Sequence, residues 1–189
     1  HGTHVMISPA AALATCLDKW ALAEALHNTV PLPRTEIAAH ADPSTWPLPL
    51  IAKPRTGSGG RGIMLIESPA ELLPLLDRND LLLQEYLPGT EYSVDVLVGR
   101  DGGIAAVVRD RMRTDSGIAI VAKVVRDSEI EALAQAAAAK LGLLGILNVQ
   151  FKRDRDGRPK LLEINPRPPG SLALSIAAGA DMVMWSIQH

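Results

Sequence analysis

The sequence predicts an α+β fold built largely from antiparallel strands. Three observations carry this. Residues 91–98 alternate, with Tyr92, Val94, Val96 and Val98 on one face and Glu91, Ser93 and Asp95 on the other. Asp156-Gly157, a preferred pair for a tight hairpin turn, separates two runs of strand-forming residues. Residues 127–141 carry helical patterning that opens with Asp127 or Ser128 as its cap and ends at Gly142, a residue suited to a left-handed helix cap.

The elements follow in order. Asp18 reads as the N-cap of a first helix, with Trp20, Ala21, Leu22, Ala25 and Leu26 at helix spacing, and Pro31 and Pro33 end it. Residues 31–49 are proline-rich and read as irregular connection with short extended pieces. Residues 50–53 form a short strand ahead of Pro54, residues 55–62 a loop, and residues 63–66 a second strand. Ser68, Pro69 and Glu71 fit the N-cap, N1 and N3 positions of a helix shortened by Pro74, with Leu72, Leu73, Leu75 and Leu76 as its core side chains. Residues 81–85 make a buried strand, and Leu87-Pro88-Gly89 a turn and hinge. The strand at 91–98 turns through residues 100–103 into another at 104–109. A strand at 118–125, the helix at 127–141 and strands at 146–153 and 158–164 complete the set.

Composition narrows the function. The chain has 189 residues, enough for one ordinary domain or two small subdomains. Apolar residues at 47% and charged residues at 21% exclude a disordered charged tail. A net charge of −2 leaves no nucleic-acid footprint, and 3% aromatics leave no base-stacking platform. The single cysteine, Cys16, excludes an internal disulfide, fits a reducing, cytoplasmic compartment, and reads as a small core residue. No apolar run reaches membrane-spanning length, and no signal-peptide pattern is present. His1 opens the sequence without an initiator Met, which reads as a fragment or a tag scar. His27 and His40 stand alone as surface or cap residues.

Gly57, Ser58, Gly59, Gly60, Arg61 and Gly62 match a dinucleotide-binding pattern literally. That pattern has to open a helix, whereas β-forming residues 63–66 follow here. No Lys-Ser/Thr pair ends the loop, so it is not a P-loop. A glycine-rich loop between two strands reads instead as a flap whose backbone amides close over phosphates, with Arg61 adding charge. The alternative is a flexible hairpin tip. Lys53, on the preceding strand, favours the flap because a cation there reaches the same phosphates.

The last hairpin is the most informative stretch. A two-residue turn at Asp156-Gly157 sets Arg155 opposite Arg158, Gln150 opposite Glu163 and Asn148 opposite Asn165. Strand alternation puts those four polar side chains on one face and Val149, Phe151, Leu162 and Ile164 on the other, as core. Four oxygen-bearing groups on a half-buried face need a partner. A hard divalent cation bridging to phosphate suits them, since it takes carboxylate and amide oxygens. A solvated polar face is the alternative. Asn165-Pro166-Arg167-Pro168 then ends the strand and brings Arg167 to the same end. Arg109, Arg111 and Arg113 share a face by period-2 spacing, near Lys123. They read as a clamp for an anionic substrate or phosphates, or as a charged edge strand.

Taken in order, these residues resemble the ATP-grasp superfamily, in particular its carbamoyl-phosphate-synthetase-large-subunit-like branch. The matching pieces are Asp18-Lys19, Lys53-Pro54, the loop 57–62, Gln84-Glu85-Tyr86-Leu87 with Glu91, Asn148-Val149-Gln150-Phe151, and Glu163-Ile164-Asn165-Pro166-Arg167. The resemblance implies two α+β subdomains clamping ATP between antiparallel sheets. These would be a small one at 17–86 with the flap and a large one at 87–189 with the metal-binding strands, after an N-terminal remnant or linker at 1–16. It implies that Lys19, Lys53 and the loop 57–62 bind phosphates. Glu85, Tyr86 and Leu87 would hold adenine and Glu91 the ribose. Gln150, Glu163 and Asn165 would hold Mg²⁺, with Mn²⁺ as an alternative. Arg167 and Lys53 would act in catalysis, and Asn148, Arg109, Arg111 and Arg113 would face substrate or phosphate.

The implied activity is an ADP-producing ligase of small-molecule carboxylates and amines that works through an acyl phosphate. A non-catalytic ATP-binding module or sensor, or a phosphotransferase, are the alternatives, and the absence of His-Arg-Asp and Asp-Phe-Gly motifs argues against a kinase. Family members carry an N-terminal α/β domain before the position of Lys19, so the resemblance also implies an ATP-binding core cut from a longer enzyme, either competent or inactive as it stands, whose missing domain is a partner.

Overall fold

Alternation and turn chemistry produce two antiparallel sheets in the computed structural model, which describes residues 6–57, 59–115 and 118–188. The smaller sheet contains β1 (Thr35–Ile37), β2 (Leu50–Pro54), β3 (Met64–Ile66) and β4 (Leu81–Glu85), in the order β1-β4-β2-β3. The larger contains β5 (Glu91–Val98), β6 (Ile104–Asp115), β7 (Ile118–Val125), β8 (Gly145–Arg153) and β9 (Pro159–Asn165), in the order β7-β6-β5-β8-β9. The helices are α1 (Ala10–Leu17), α2 (Lys19–Leu26), α3 (Pro69–Leu72), α4 (Ser128–Lys140), α5 (Leu172–Ala177) and α6 (Met182–Gln188). Among the described residues no helix is long and apolar enough to cross a membrane.

The expected caps form. Asp18 accepts the N–H groups of Trp20 and Ala21, Ser68 that of Glu71, and Asp127 that of Ile130, each filling an orphan donor of a helix start. Gly142 takes φ +62° after α4, where a side chain would be strained. Two main cores result. Leu22 and Leu26 of α2 and Ile130, Ala134 and Ala138 of α4 pack on Val94, Val96, Val149 and Phe151 of the large sheet. Ala38, Trp46, Leu50, Ala52, Ile66 and Leu83 form the core of the small sheet. Leu172 and Met182 cover Leu97 on the opposite face of the large sheet. By packing, α2 therefore goes with the large sheet, although its residues precede the small one.

Three local expectations need correction. Residues 10–16, expected within an N-terminal remnant or linker, belong to the helix α1, with Ala12 and Cys16 buried. Its alanines carry little amphipathic signal, and Asp18 both ends it and starts α2. The strand expected at 104–109 runs on to Asp115. Leu87-Pro88-Gly89 is a pinned turn, not a free hinge. The Gly89 N–H donates to the Arg153 carbonyl at 3.0 Å, and a Cβ on Gly89 would lie 2.7 Å from that oxygen.

The β8–β9 hairpin corrects its own register. Asp154 N–H donates to the Arg158 carbonyl at 2.9 Å and Gly157, at φ +79°, donates to Asp154, so residues 155–157 cross the turn and Arg155 does not face Arg158. The Asp154 carboxylate accepts the N–H groups of Asp156 and Arg158 at 2.9 Å, which stabilises the wider turn. Beside the turn Arg153 pairs with Pro159 and Phe151 with Leu161. Leu162 then bulges, inserts one residue, and restores the expected pairs Gln150 with Glu163 and Asn148 with Asn165. The bulge exchanges two leucines. Leu161 joins Val149, Phe151 and Ile164 in the core, and Leu162 lines the cleft described next.

Candidate functional site

A cleft of about 570 Å³ is lined from both sheets. On one wall stand Lys19, Lys53, Gln84 and the glycine-rich loop, and on the other Glu91, Arg111, Asn148, Gln150, Glu163 and Asn165. The Asp18 carboxylate positions the first cation. It caps α2 and also accepts from Arg55 Nε at 2.8 and 2.9 Å, which holds it below the ordinary carboxylate range. Lys19 follows directly, and its Nζ donates to the Gly57 carbonyl at 2.9 Å, tying α2 to the start of the loop. Gly59 and Gly60 line the cleft; Gly57, Arg61 and Gly62 belong to the same loop outside the lining. Ser58, named with them from the sequence, lies outside the described residues.

Lys53 is 5% exposed and donates to Gln84 Oε1 at 2.8 Å, while Gln84 Nε2 donates to Thr35 Oγ1 at 2.9 Å. Burial pushes its ammonium down to about 8, with the charge of Lys19 adding to the effect and that of Glu163 opposing it. The sign of the consequence follows. A bound polyphosphate favours charged Lys53, so binding takes up a proton above pH 8. Nucleotide affinity is then full below that pH and falls as pH rises through it, by up to about tenfold per pH unit. Titration calorimetry across pH 7 to 9.5 checks this; a flat profile, or one that Lys53→Met leaves unchanged, removes Lys53 from the phosphate site.

The polar side chains of β8 and β9 converge as alternation requires. Asn165 Nδ2 donates to Glu163 Oε1 at 2.9 Å, and Gln150 Oε1 accepts from Arg111 Nη1 at 3.0 Å. Asn148, 5% exposed, donates to Asp95 Oδ1 at 3.2 Å. No group of three or more His, Cys, Asp or Glu side chains is placed to hold a metal ion among the described residues. A cation here would therefore rest on one carboxylate and two amides, from Glu163, Gln150 and Asn165. Such an all-oxygen set fits Mg²⁺ or Mn²⁺, which complete their shells with phosphate and water, and does not fit zinc.

At the opposite end Glu85, Tyr86 and Leu87 line the cleft where the chain leaves β4. The Glu85 carboxylate is already held. It accepts from Lys160 Nζ at 2.7 and 2.8 Å and from the Arg34 N–H at 3.1 Å. Glu91 is ion-paired with Arg111. Arg167 reaches the cleft near Gly170 and Ser171.

The three arginines expected on one face part company. Arg109 is wholly buried and donates to Asp95 and to Ser171 Oγ, both at 2.5 Å. Its Nε has no hydrogen-bond partner among the described residues. Arg111 turns into the cleft, and Arg113 is exposed beyond a register shift between Asp110 and Arg113. Sequence reasoning missed Asp95, Lys152, Lys160 and Ser171, and gave Gln84 no role of its own. Asp95 had a signal, an acid within the apolar run 94–98, and Gln84 stood beside a chosen residue; the others had none.

Known proteins resemble this chain in sequence and in fold. The model of a family described as "ATP-grasp in the biosynthetic pathway with Ter operon" matches residues 77–189. D-alanine–D-alanine ligase from Anaeromyxobacter dehalogenans (strain 2CP-1 / ATCC BAA-258) is 30% identical over 154 residues, 71% of this chain and 50% of that protein. The arginine-specific large chain of carbamoyl phosphate synthase from Bacillus subtilis (strain 168) is 29% identical over 150 residues, 71% of this chain and 14% of that one. The chain thus spans about half the length, or less, of these relatives. The crystal structure of the biotin carboxylase–β-γ-ATP complex from Campylobacter jejuni superposes with a TM-score of 0.82 at 18% identity, covering 96% of this chain and 47% of that one. At that identity the likeness is one of fold.

Proposed function

This chain belongs to the ATP-grasp family, and we propose that its cleft binds ATP with Mg²⁺ and activates a small-molecule carboxylate as an acyl phosphate for capture by an amine. One observation carries the proposal: Asn148, Gln150, Glu163 and Asn165 share the face of β8 and β9 that looks across the cleft at Lys53 and Lys19. The relatives named as ligases and synthases support it.

Each wall then has a task. The sheet β1–β4 forms the small half of the clamp, and the sheet β5–β9, with α2 and α4 packed on it, the large half. Lys19, Lys53 and the loop amides hold the phosphates. The backbone at residues 85–87 meets the adenine edge, with the Glu85 carboxylate fixed by Lys160, and Glu91 takes the ribose hydroxyls. Gln150, Glu163 and Asn165 would hold Mg²⁺, or Mn²⁺ in its place, and the ion would supply neutralisation of phosphate charge. A carboxylate oxygen attacks the γ-phosphorus, the bond to the β–γ bridging oxygen breaks, and ADP leaves. The amine nitrogen then attacks the acyl carbon, phosphate departs, and the nitrogen loses a proton. Lys53 and Arg167 stabilise the charge that develops on the transferring group, so no protein nucleophile is required.

ADP release measured against a panel of carboxylates and amines tests the reaction. It should rise at least about tenfold over the rate with ATP alone when the right pair is present, a factor worth about 1.4 kcal/mol of barrier. Release of AMP and pyrophosphate would replace the acyl phosphate with an adenylate. Tight MgATP binding with no turnover across the panel would favour a binding module or sensor.

A further inference from the structure

Arg111 stands between two groups with different tasks. Its Nη1 donates to the Glu91 carboxylate, at the ribose end, and to Gln150 Oε1, on the metal side. Its side chain is only 4% exposed, and Glu91, Gln150 and Arg111 all line the cleft. An amide oxygen that accepts a guanidinium N–H is a poor ligand for a divalent cation, because the two positive charges would share one small acceptor. Arg111 is therefore placed to oppose a cation at Gln150 while Glu91 anchors it.

Resting on the ATP reading above, we infer that Arg111 is a positioning residue that makes the metal subsite depend on the nucleotide. Ribose hydroxyls donating to Glu91 weaken the anchor of the guanidinium. The phosphates offer it a stronger anionic partner. Gln150 Oε1 is then released to face the cation beside Glu163 and Asn165. Linkage requires the coupling to be mutual: nucleotide raises metal affinity by the same factor as metal raises nucleotide affinity.

The test uses Mn²⁺ as the probe, with free ion followed by electron paramagnetic resonance, with and without a non-hydrolysable ATP analogue. The unmutated protein should bind Mn²⁺ at least about tenfold more tightly with the analogue than without, and Arg111→Gln should raise nucleotide-free Mn²⁺ affinity by a similar factor. Arg111→Lys keeps the charge but not the fork, and should raise it about threefold; it decides the matter alone if Arg111→Gln does not fold. A gain of metal affinity is not what loss of a merely structural arginine produces. Unchanged or weaker nucleotide-free binding in the folded variants overturns the inference, as does equal Mn²⁺ affinity with and without analogue in the unmutated protein. No Mn²⁺ binding in either condition overturns the ATP reading and this inference together.

Discussion

Asp95→Ala should destabilise the fold by about 3–5 kcal/mol, because it leaves the wholly buried guanidinium of Arg109 without its counter-charge. In a chain of this size that corresponds to a fall of roughly 10 °C in the thermal midpoint. The loss goes beyond one pair. Asp95 Oδ1 also accepts from Asn148, its Oδ2 accepts from Ser175 on α5 at 2.7 Å, and Arg109 reaches Ser171 at the head of that helix. One carboxylate thus joins β5, β6, β8 and α5, and two of the residues it orders, Asn148 and Ser171, line the cleft. Replacing both charges, as in Asp95→Leu with Arg109→Met, should recover much of the stability, since a buried ion pair gains little over a well-packed apolar pair. Thermal unfolding of the single and double variants checks this. A single variant that melts within a degree or two of the unmutated protein would show that Arg109 is neutralised some other way.

Glu163→Gln should cost at least about 100-fold in the Mg²⁺ concentration needed to support nucleotide binding, while leaving the fold intact. The exchange keeps shape and removes the single charge of the proposed donor set, since Gln150 and Asn165 contribute only amide oxygens. It also removes the anion that favours charged Lys53, so the fall of affinity at high pH should begin lower than in the unmutated protein. Titrating Mg²⁺ against a fixed ATP analogue separates the two effects from any change in stability. An unaltered Mg²⁺ midpoint would take Glu163 out of the metal site and leave the four-residue face as a solvated strand surface.

What could be read before folding follows from how far each signal reaches along the chain. The polar face of the last hairpin was legible because side-chain direction in a strand depends on the parity of a residue, a property of its neighbours. Its pairing came out as expected although the turn was wider than expected, since the bulge at Leu162 compensated for it. The turn itself was misjudged because the Asp154 side chain, rather than the Asp156-Gly157 pair, governed its width. Caps at Asp18, Ser68 and Asp127 were legible for the same reason of locality: donor and acceptor lie within three residues of each other.

The fates of the arginines were not legible. Period-2 spacing treats Arg109, Arg111 and Arg113 alike, yet one is neutralised in the core, one is ion-paired in the wall of the cleft and one meets solvent. Burying a guanidinium is tolerable only where an anion waits for it, and the anions Asp95 and Glu91 lie 14 and 20 residues away along the chain, with the Ser171 hydroxyl 62 residues away. Glu85 tells the same story, because Lys160, 75 residues distant, takes its carboxylate. The sequence alone determined which residue types stand on which face of each strand, and with them the chemistry the protein has available. The tertiary structure decided which of those charges are spent on one another and which still face the cleft, because the cost of an unpaired charge depends on partners that only folding brings together.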